Sequence, residues 1–217
     1  MNNIHDLRNI LSTISHDSCP GELNFHSHTT FSDGSMDPEQ LIQQAAKLKL
    51  SHIAVTDHHS IQAYPIMQQW LNDNKKFYHS LPILWTGIEI TCILKKCLVH
   101  VLAFGFQIDH PCMKIYSQCQ SVIGDDLQAS SVISSIHKAG GLAFLAHPAR
   151  YRIDYRLLIE EAFKNKFDGV EIWYDYEHNE LWRPTPFICN SINKLVKLHG
   201  KLGCCGTDTH GYSLNGR

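Results

Sequence analysis

The chain has 217 residues, a formal net charge of -2 and 18% charged residues. This is enough to bury a real core in one domain, and without a basic block it does not suit an extended electrostatic grip on duplex nucleic acid. Fifteen histidines are a surplus, and the eight cysteines contain no C-x-x-C, so the composition points to imidazole chemistry and a reducing compartment rather than a zinc finger or disulfide scaffold. The N-terminal stretch carries charges throughout instead of an apolar signal region. Nothing approaches the ~20 apolar residues of a membrane span. A cytoplasmic, membrane-free protein is expected.

Apolar residues at Ile4, Leu7, Ile10, Leu11 and Ile14 predict a leading helix, and residues 1–20 are taken as a helical lead-in to a domain over 21–217. A strand is predicted at 22–27, ending in the pair His26 and His28. Asp37-Pro38-Glu39 opens a helix with Asp as cap and Pro in the first turn. HIAVTDHH (52–59) reads as a buried strand and 61–74 as a helix. Residues 83–94 and 97–106 read as two strands joined by a Lys95-Lys96 turn. A helix over 126–138 ends at Gly140-Gly141. Strands at 142–148, 169–173 and 201–210 alternate with helices at 155–166 and 186–199. This alternation predicts an α/β fold with a parallel sheet of about seven strands, open or closed.

The polar residues gather at one place in these units. His26 and His28 share a face because a strand has period two. Asp33 follows in a Ser-Asp-Gly turn, and Asp57 and His58 end the second strand. Glu89 lies between Ile88 and Ile90, where a buried carboxylate needs a cationic partner. His100, His147, Asp208 and His210 follow on later strands. In a parallel barrel the strand ends converge on one mouth, where active sites sit. Six imidazoles and three carboxylates suit zinc, manganese or iron rather than calcium or magnesium. Nine donors exceed one ion's shell, so two or three ions are expected.

The ordered series HSH…D, TDHH, GIEIT, HVLAF, AHP and GTDTH resembles the polymerase and histidinol phosphatase (PHP) family of metal-dependent phosphoesterases, from about residue 22 to 210. The resemblance implies a distorted (β/α)7, TIM-like barrel with two or three divalent ions (Mn, Zn or Fe) at its mouth. Carried over by motif, His26 and His28 hold the first ion, closed by Asp208, and Glu89 bridges it to a second held by His100 and His147. Asp33, His58 and His210 hold a third. AHPARY (146–151) is similar to the trpH-like branch, which acts on nucleoside bisphosphates or on RNA from its 5′ end, and implies Arg150 as a phosphate clamp. Two departures stand out: His59 replaces a common second aspartate, and only 46 residues separate His100 from His147, where some members insert a pocket-shaping subdomain.

The implied activity is hydrolysis of a phosphate ester, on a phosphorylated small molecule or short oligonucleotide. Ions bridged by Glu89 would acidify a bound water for in-line attack. Asp208 would take its proton, and His147 or His210 would protonate the leaving alkoxide. A histidinol-phosphatase-like phosphomonoesterase and a non-catalytic metal-binding domain use the same core and stay open beside it. An amide-cleaving metallohydrolase would need a carboxylated lysine, and no lysine falls at an expected strand end.

Overall fold

A computed structural model describes residues 3–216. Its helices begin where local chemistry permits. In α1 (Ile4–Ser12) the Asn3 side chain accepts from the His5 amide, and Leu7 and Leu11 are buried. In α2 (Pro38–Lys47) Asp37 and Gln40 cap each other reciprocally. The others are α3 (Ala63–Asn74), α4 (Ala129–Lys138), α5 (Tyr155–Lys164) and α6 (Pro186–Leu198). The helix expected from residue 126 starts at Ala129, because Gly124–Leu127 forms a tighter 3-10 turn first.

Among the described residues eight strands replace the expected seven: β1 (Leu23–Asn24), β2 (His52–Ala54), β3 (Ile83–Trp85), β4 (Gly87–Leu94), β5 (Cys97–Phe104), β6 (Leu142–Leu145), β7 (Gly169–Trp173) and β8 (Leu202–Cys205). They form two sheets, a parallel β1-β2-β3 and a five-stranded β4-β5-β6-β7-β8. The expectation of an all-parallel sheet fails at β5, which runs antiparallel to both β4 and β6. The cause is local. Lys95 and Lys96 both have positive φ, 51° and 62°, and form a two-residue turn of the kind that closes hairpins; a parallel crossover needs a dozen residues or more.

The ladders do not run continuously around a barrel either. Instead, isolated parallel bridges link Ser27 to Thr209 and His58 to Glu89. The β1 ladder stops at Asn24 because its backbone then turns to the last strand, with the Phe25 amide donating to the Cys205 carbonyl and His28 to Thr209. At the other junction the His59 amide donates to the Glu89 carbonyl and the Glu89 amide to that of Asp57. The two sheets therefore meet twice, and both meetings fall at the predicted metal-binding residues.

The larger core lies among β4–β8 and their helices, and includes Leu7 and Leu11 of α1. A smaller one, with Leu41, Ile42, Ile53, Met67 and Leu84, sits under α2 and α3. All eight cysteines are free thiols, and Cys92, Cys189, Cys204 and Cys205 are buried as small hydrophobes. Among the described residues no helix is long and apolar enough to cross a membrane.

Candidate metal centre

His26 and His28 leave β1 side by side, both without solvent exposure, their ring centroids 5.3 Å apart. Asn24 holds this exit in place. Its Oδ1 accepts from the amides of His26 and Thr207, and its Nδ2 donates to Thr207 Oγ1. The last strand passes so close that a Cβ at Gly206 would strike the His26 backbone, so the approach requires glycine.

Among the described residues, three groups of side chains place their ligand atoms within 4.8 Å of one another: His26, His28, Glu89 and Asp208; His58, Glu89 and His100; and His28, Asp33, His58 and His210. Glu89, 1% exposed, stands at the centre. Its Oε2 lies 3.1 Å from the Nε2 atoms of both His26 and His28, and its Oε1 lies 2.8 Å from His100 Nδ1 and 3.4 Å from His147 Nε2. Asp208 Oδ1 faces the same two Nε2 atoms at 3.2 Å. All nine sequence-predicted ligands thus converge, although His147 touches the set through Glu89 and joins none of the three groups. Glu89, expected at a strand end, is near the start of β4, and His100 lies within its strand as expected, on the reversed β5, so the hairpin brings both to the mouth by its side rather than by its end.

The electrostatics follow from three buried carboxylates among imidazoles. Burial alone would lower the His26 pKa, but Glu171, Asp208 and Glu89 outweigh it and hold the ring well above its ordinary value. For His28, burial is likewise overcome by Asp208 and Glu89, which carry it up to about 9. Glu89 and Asp208 are each held well below the usual carboxylate range, since the imidazoles overcome the burial that would raise them. His58 is pushed down to about 4, mainly by burial. Asp33 is 54% exposed at the rim, and its hydrogen bond with His210 depresses its carboxyl.

The donor set fits divalent cations. His28 Nε2, Glu89 Oε1, His100 Nδ1 and His147 Nδ1 are buried without an aligned hydrogen bond. Glu89 Oε1 and His100 Nδ1 are 2.8 Å apart, close but misdirected for proton sharing. Crowded carboxylates demanding positive charge, faced by buried ring nitrogens without aligned hydrogen bonds, match the hard and borderline ligands of zinc, manganese or iron.

Arg150 stands where the AHPARY motif leads. Its Nη1 donates to Tyr174 Oη and to Asp208 Oδ2, both at 3.1 Å, and the side chain is 39% exposed. Tyr174 Oη also donates to Asp208 Oδ2 at 2.6 Å. With Asp33, His58, Glu89, His100, His147, Asp208 and His210, Arg150 lines a cavity of about 210 Å³. A larger open groove of about 500 Å³, lined by Lys138, Lys164 and Lys166 among others, contains none of these residues; the concentration of buried charge argues for the smaller cavity.

Sequence reading missed Glu171, Tyr174 and the anchoring role of Asp57. Glu171, fully buried on β7, bonds His26 Nδ1 and the His147 amide. Asp57 takes the Thr29 amide and hydroxyl and the Ser32 hydroxyl, fixing the turn that carries Asp33. Glu171 had a legible signal, a carboxylate between Val170 and Ile172 as Glu89 is between two isoleucines. Tyr174 had none. His59 turns its Nε2 to accept from the Thr91 amide and joins none of the three groups.

The PHP domain model matches residues 24–171. The chain belongs to the PHP domain family. Asp208 and His210 lie beyond the matched span, and it is the geometry that sets them beside the rest. A curated relative, the 5′-3′ exoribonuclease Rnm of Salmonella typhimurium, is 25% identical over 144 residues, covering 60% of this chain and 48% of that one; the PHP chain thus spans about half the length of that relative. Among solved structures, a protein of Bifidobacterium adolescentis described provisionally as a metal-dependent phosphoesterase superposes with a TM-score of 0.70 at 18% identity, covering 89% of each chain. An amidohydrolase of Chromobacterium violaceum with bound sulfate gives 0.73 at 15%, covering 88% of each. At these identities the structures establish a shared fold.

Proposed function

We propose that this PHP chain hydrolyses phosphate esters at the cavity beneath Arg150, with a nucleoside bisphosphate or a short 5′-phosphorylated RNA as substrate. The observation that carries the reading is the convergence of six imidazoles and three carboxylates below a single guanidinium. The match of residues 24–171 to the PHP domain and the partial likeness to an exoribonuclease support it. The two sheets, tied by the bridges at Ser27 and His58, are read as a distorted barrel with this cavity at its mouth.

His26, His28, Asp208 and Glu89 would hold one ion, Glu89 with His100 and His147 a second, and Asp33, His58 and His210 a third. Divalent ions bound there would supply Lewis acidity toward the phosphoryl oxygens and a water acidified to near neutrality. Arg150 binds phosphate as a planar donor, already steadied through Nη1 by Tyr174 and Asp208. Asp208 accepts a proton from the attacking water, and His147 or His210 returns one to the leaving alkoxide. None of the cavity-lining residues is a lysine, so the amide-cleaving alternative lacks its carbamate bridge.

The test pairs metal content with phosphate release. Purified protein is assayed on adenosine 3′,5′-bisphosphate, a short 5′-phosphorylated RNA, histidinol phosphate and an aryl phosphate. The proposal expects about two or more ions per chain and Mn²⁺-stimulated release from the nucleotides. Bound ions without turnover on any substrate would leave a metal-binding domain instead. Preferred turnover of histidinol phosphate would move the substrate, and no metal response at all would end the reading.

A further inference from the structure

Glu171 closes a ring of four residues. On the inner side, Glu89 faces His26 Nε2 at 3.1 Å and His147 Nε2 at 3.4 Å. On the outer side, Glu171 Oε1 is 2.9 Å from His26 Nδ1, and its Oε2 accepts from the His147 backbone amide at 2.7 Å. The two rings lie nearly parallel, 24° apart, with centroids at 5.6 Å. His147 has φ 26° and ψ 61°, a backbone conformation that a non-glycine residue keeps only when its surroundings impose it. A buried amide must find an acceptor, and here that acceptor is Glu171.

From this geometry we infer that Glu171 is a positioning residue that sets the His26 tautomer and the His147 backbone at once, so that both ring Nε2 atoms face inward together. Carboxylates face both ring nitrogens, Glu171 at Nδ1 and Glu89 with Asp208 at Nε2, and none has a proton to donate, so Glu171 is the group that draws the ring proton to Nδ1 against the pull of the other two. The Nδ1-protonated form that Glu171 favours is the one whose Nε2 lone pair a metal ligand requires. The inference rests on the proposed metal site, but its structural half does not depend on metal being bound.

The choice of variant follows from the same hydrogen-bond logic. In Glu171→Gln the amide oxygen must face the His147 N–H, because the opposite orientation sets two donors against each other. The new NH₂ then points at His26 Nδ1 and donates to it, which drives the ring proton to Nε2. Glu171→Asp keeps a carboxylate and should restore the original tautomer. Glu171→Ala is less informative, since it leaves the buried amide of His147 unpaired.

The experiment uses the full chain. ¹⁵N chemical shifts of the His26 ring are recorded on metal-free protein at a pH high enough to make the ring neutral, and Zn²⁺ affinity is measured by competition titration. Wild type should populate the Nδ1-protonated ring more than Glu171→Gln does. Glu171→Gln should show a protonated Nε2 and a Zn²⁺ affinity weakened roughly 10- to 100-fold, with Asp recovering both. A merely structural role would lower the melting temperature and leave the tautomer and affinity untouched; that result would overturn the inference. Failure of wild type to bind Zn²⁺ would instead count against the metal site, and the tautomer comparison would still decide the role of Glu171.

Discussion

Two carboxylate clusters, one around Asp168 and one around Glu89, show what separates a structural end of this molecule from a chemical one. Asp168, just before β7, accepts from Arg8 Nη2 at 2.7 Å, from His137 Nε2 at 2.8 Å and from the Ala143 amide at 3.0 Å. Every contact is an aligned hydrogen bond, and the two partner side chains reach solvent. Around Glu89, at the other end, ring nitrogens crowd in at similar distances, yet Glu89 Oε1 and the ring nitrogens His28 Nε2 and His100 Nδ1 make no aligned bond. The same residue types serve both ends. Where directions match, a polar cluster stabilises the fold; where they do not, the arrangement awaits something that accepts lone pairs.

The sharpest way to break this contrast is to remove the central carboxylate. Glu89→Ala, or His26→Ala, should reduce phosphate-ester hydrolysis by on the order of 10³-fold or more and keep a native circular dichroism spectrum, because removing the side chain leaves the backbone ladder through Glu89 and the apolar cores in place. Full turnover by either metal-loaded variant would show that the misdirected contacts are incidental. Removing ions should be next in size. If ions are held at about 100 times their dissociation constant, stripping them with a chelator should cost about 2.7 kcal/mol of stability. Amide exchange should then loosen around residues 26–33, 147 and 208 but not around Asp168. Equal loosening at both ends would erase the distinction.

Arg150 sharpens the comparison from the substrate side. It touches Asp208 and Tyr174 with aligned bonds, so it belongs to the settled kind of contact while lining the unsettled cavity. Arg150→Ala should lower kcat/KM on nucleotides by roughly 10- to 100-fold, as expected for a charge-assisted bond of about 1.5–3 kcal/mol. Arg150→Lys should recover part of it. An unchanged kcat/KM would make this arginine a brace for Asp208 and nothing more.

The nine candidate ligands were legible because each carries a polar group into an apolar or strand-ending context, and a parallel α/β reading brings such contexts to one side. The helix at Asp37 was legible from its cap. The sheet partners were not. Apolar periodicity reveals that a segment is a strand but not which neighbour it pairs with, so the reversed β5 and the division into two sheets emerged only from backbone directions, although Lys95-Lys96 was a sufficient clue to a hairpin. Glu171 escaped because no motif contains it; its signal was the same physical oddity, a carboxylate in an apolar strand, that drew attention to Glu89. Tyr174 acts through a hydroxyl on an ordinary buried ring, which sequence does not distinguish from packing.

The smallest expected effect lies at the settled end and depends on pH. Burial tends to raise the Asp168 pKa, but the hydrogen bonds from His137 and the Ala143 amide, with Arg8 adding to them, hold it below its ordinary value. A folded-state pKa below the unfolded one means that the unfolded chain takes up the proton first as pH falls. The stabilisation is therefore complete above the unfolded value of about 3.9 and disappears as pH drops through that value toward the folded one. Asp168→Asn should cost about 1–2 kcal/mol near neutral pH, the scale of hydrogen bonds to a charged group in a partly open site. Denaturant unfolding of wild type and variant should converge in acid, since protonated Asp168 and asparagine then offer similar acceptors to Ala143 and Arg8. A gap that stays constant from neutral pH into acid would mean that shape rather than charge holds this end together, and the two ends would then differ in chemistry less than in packing.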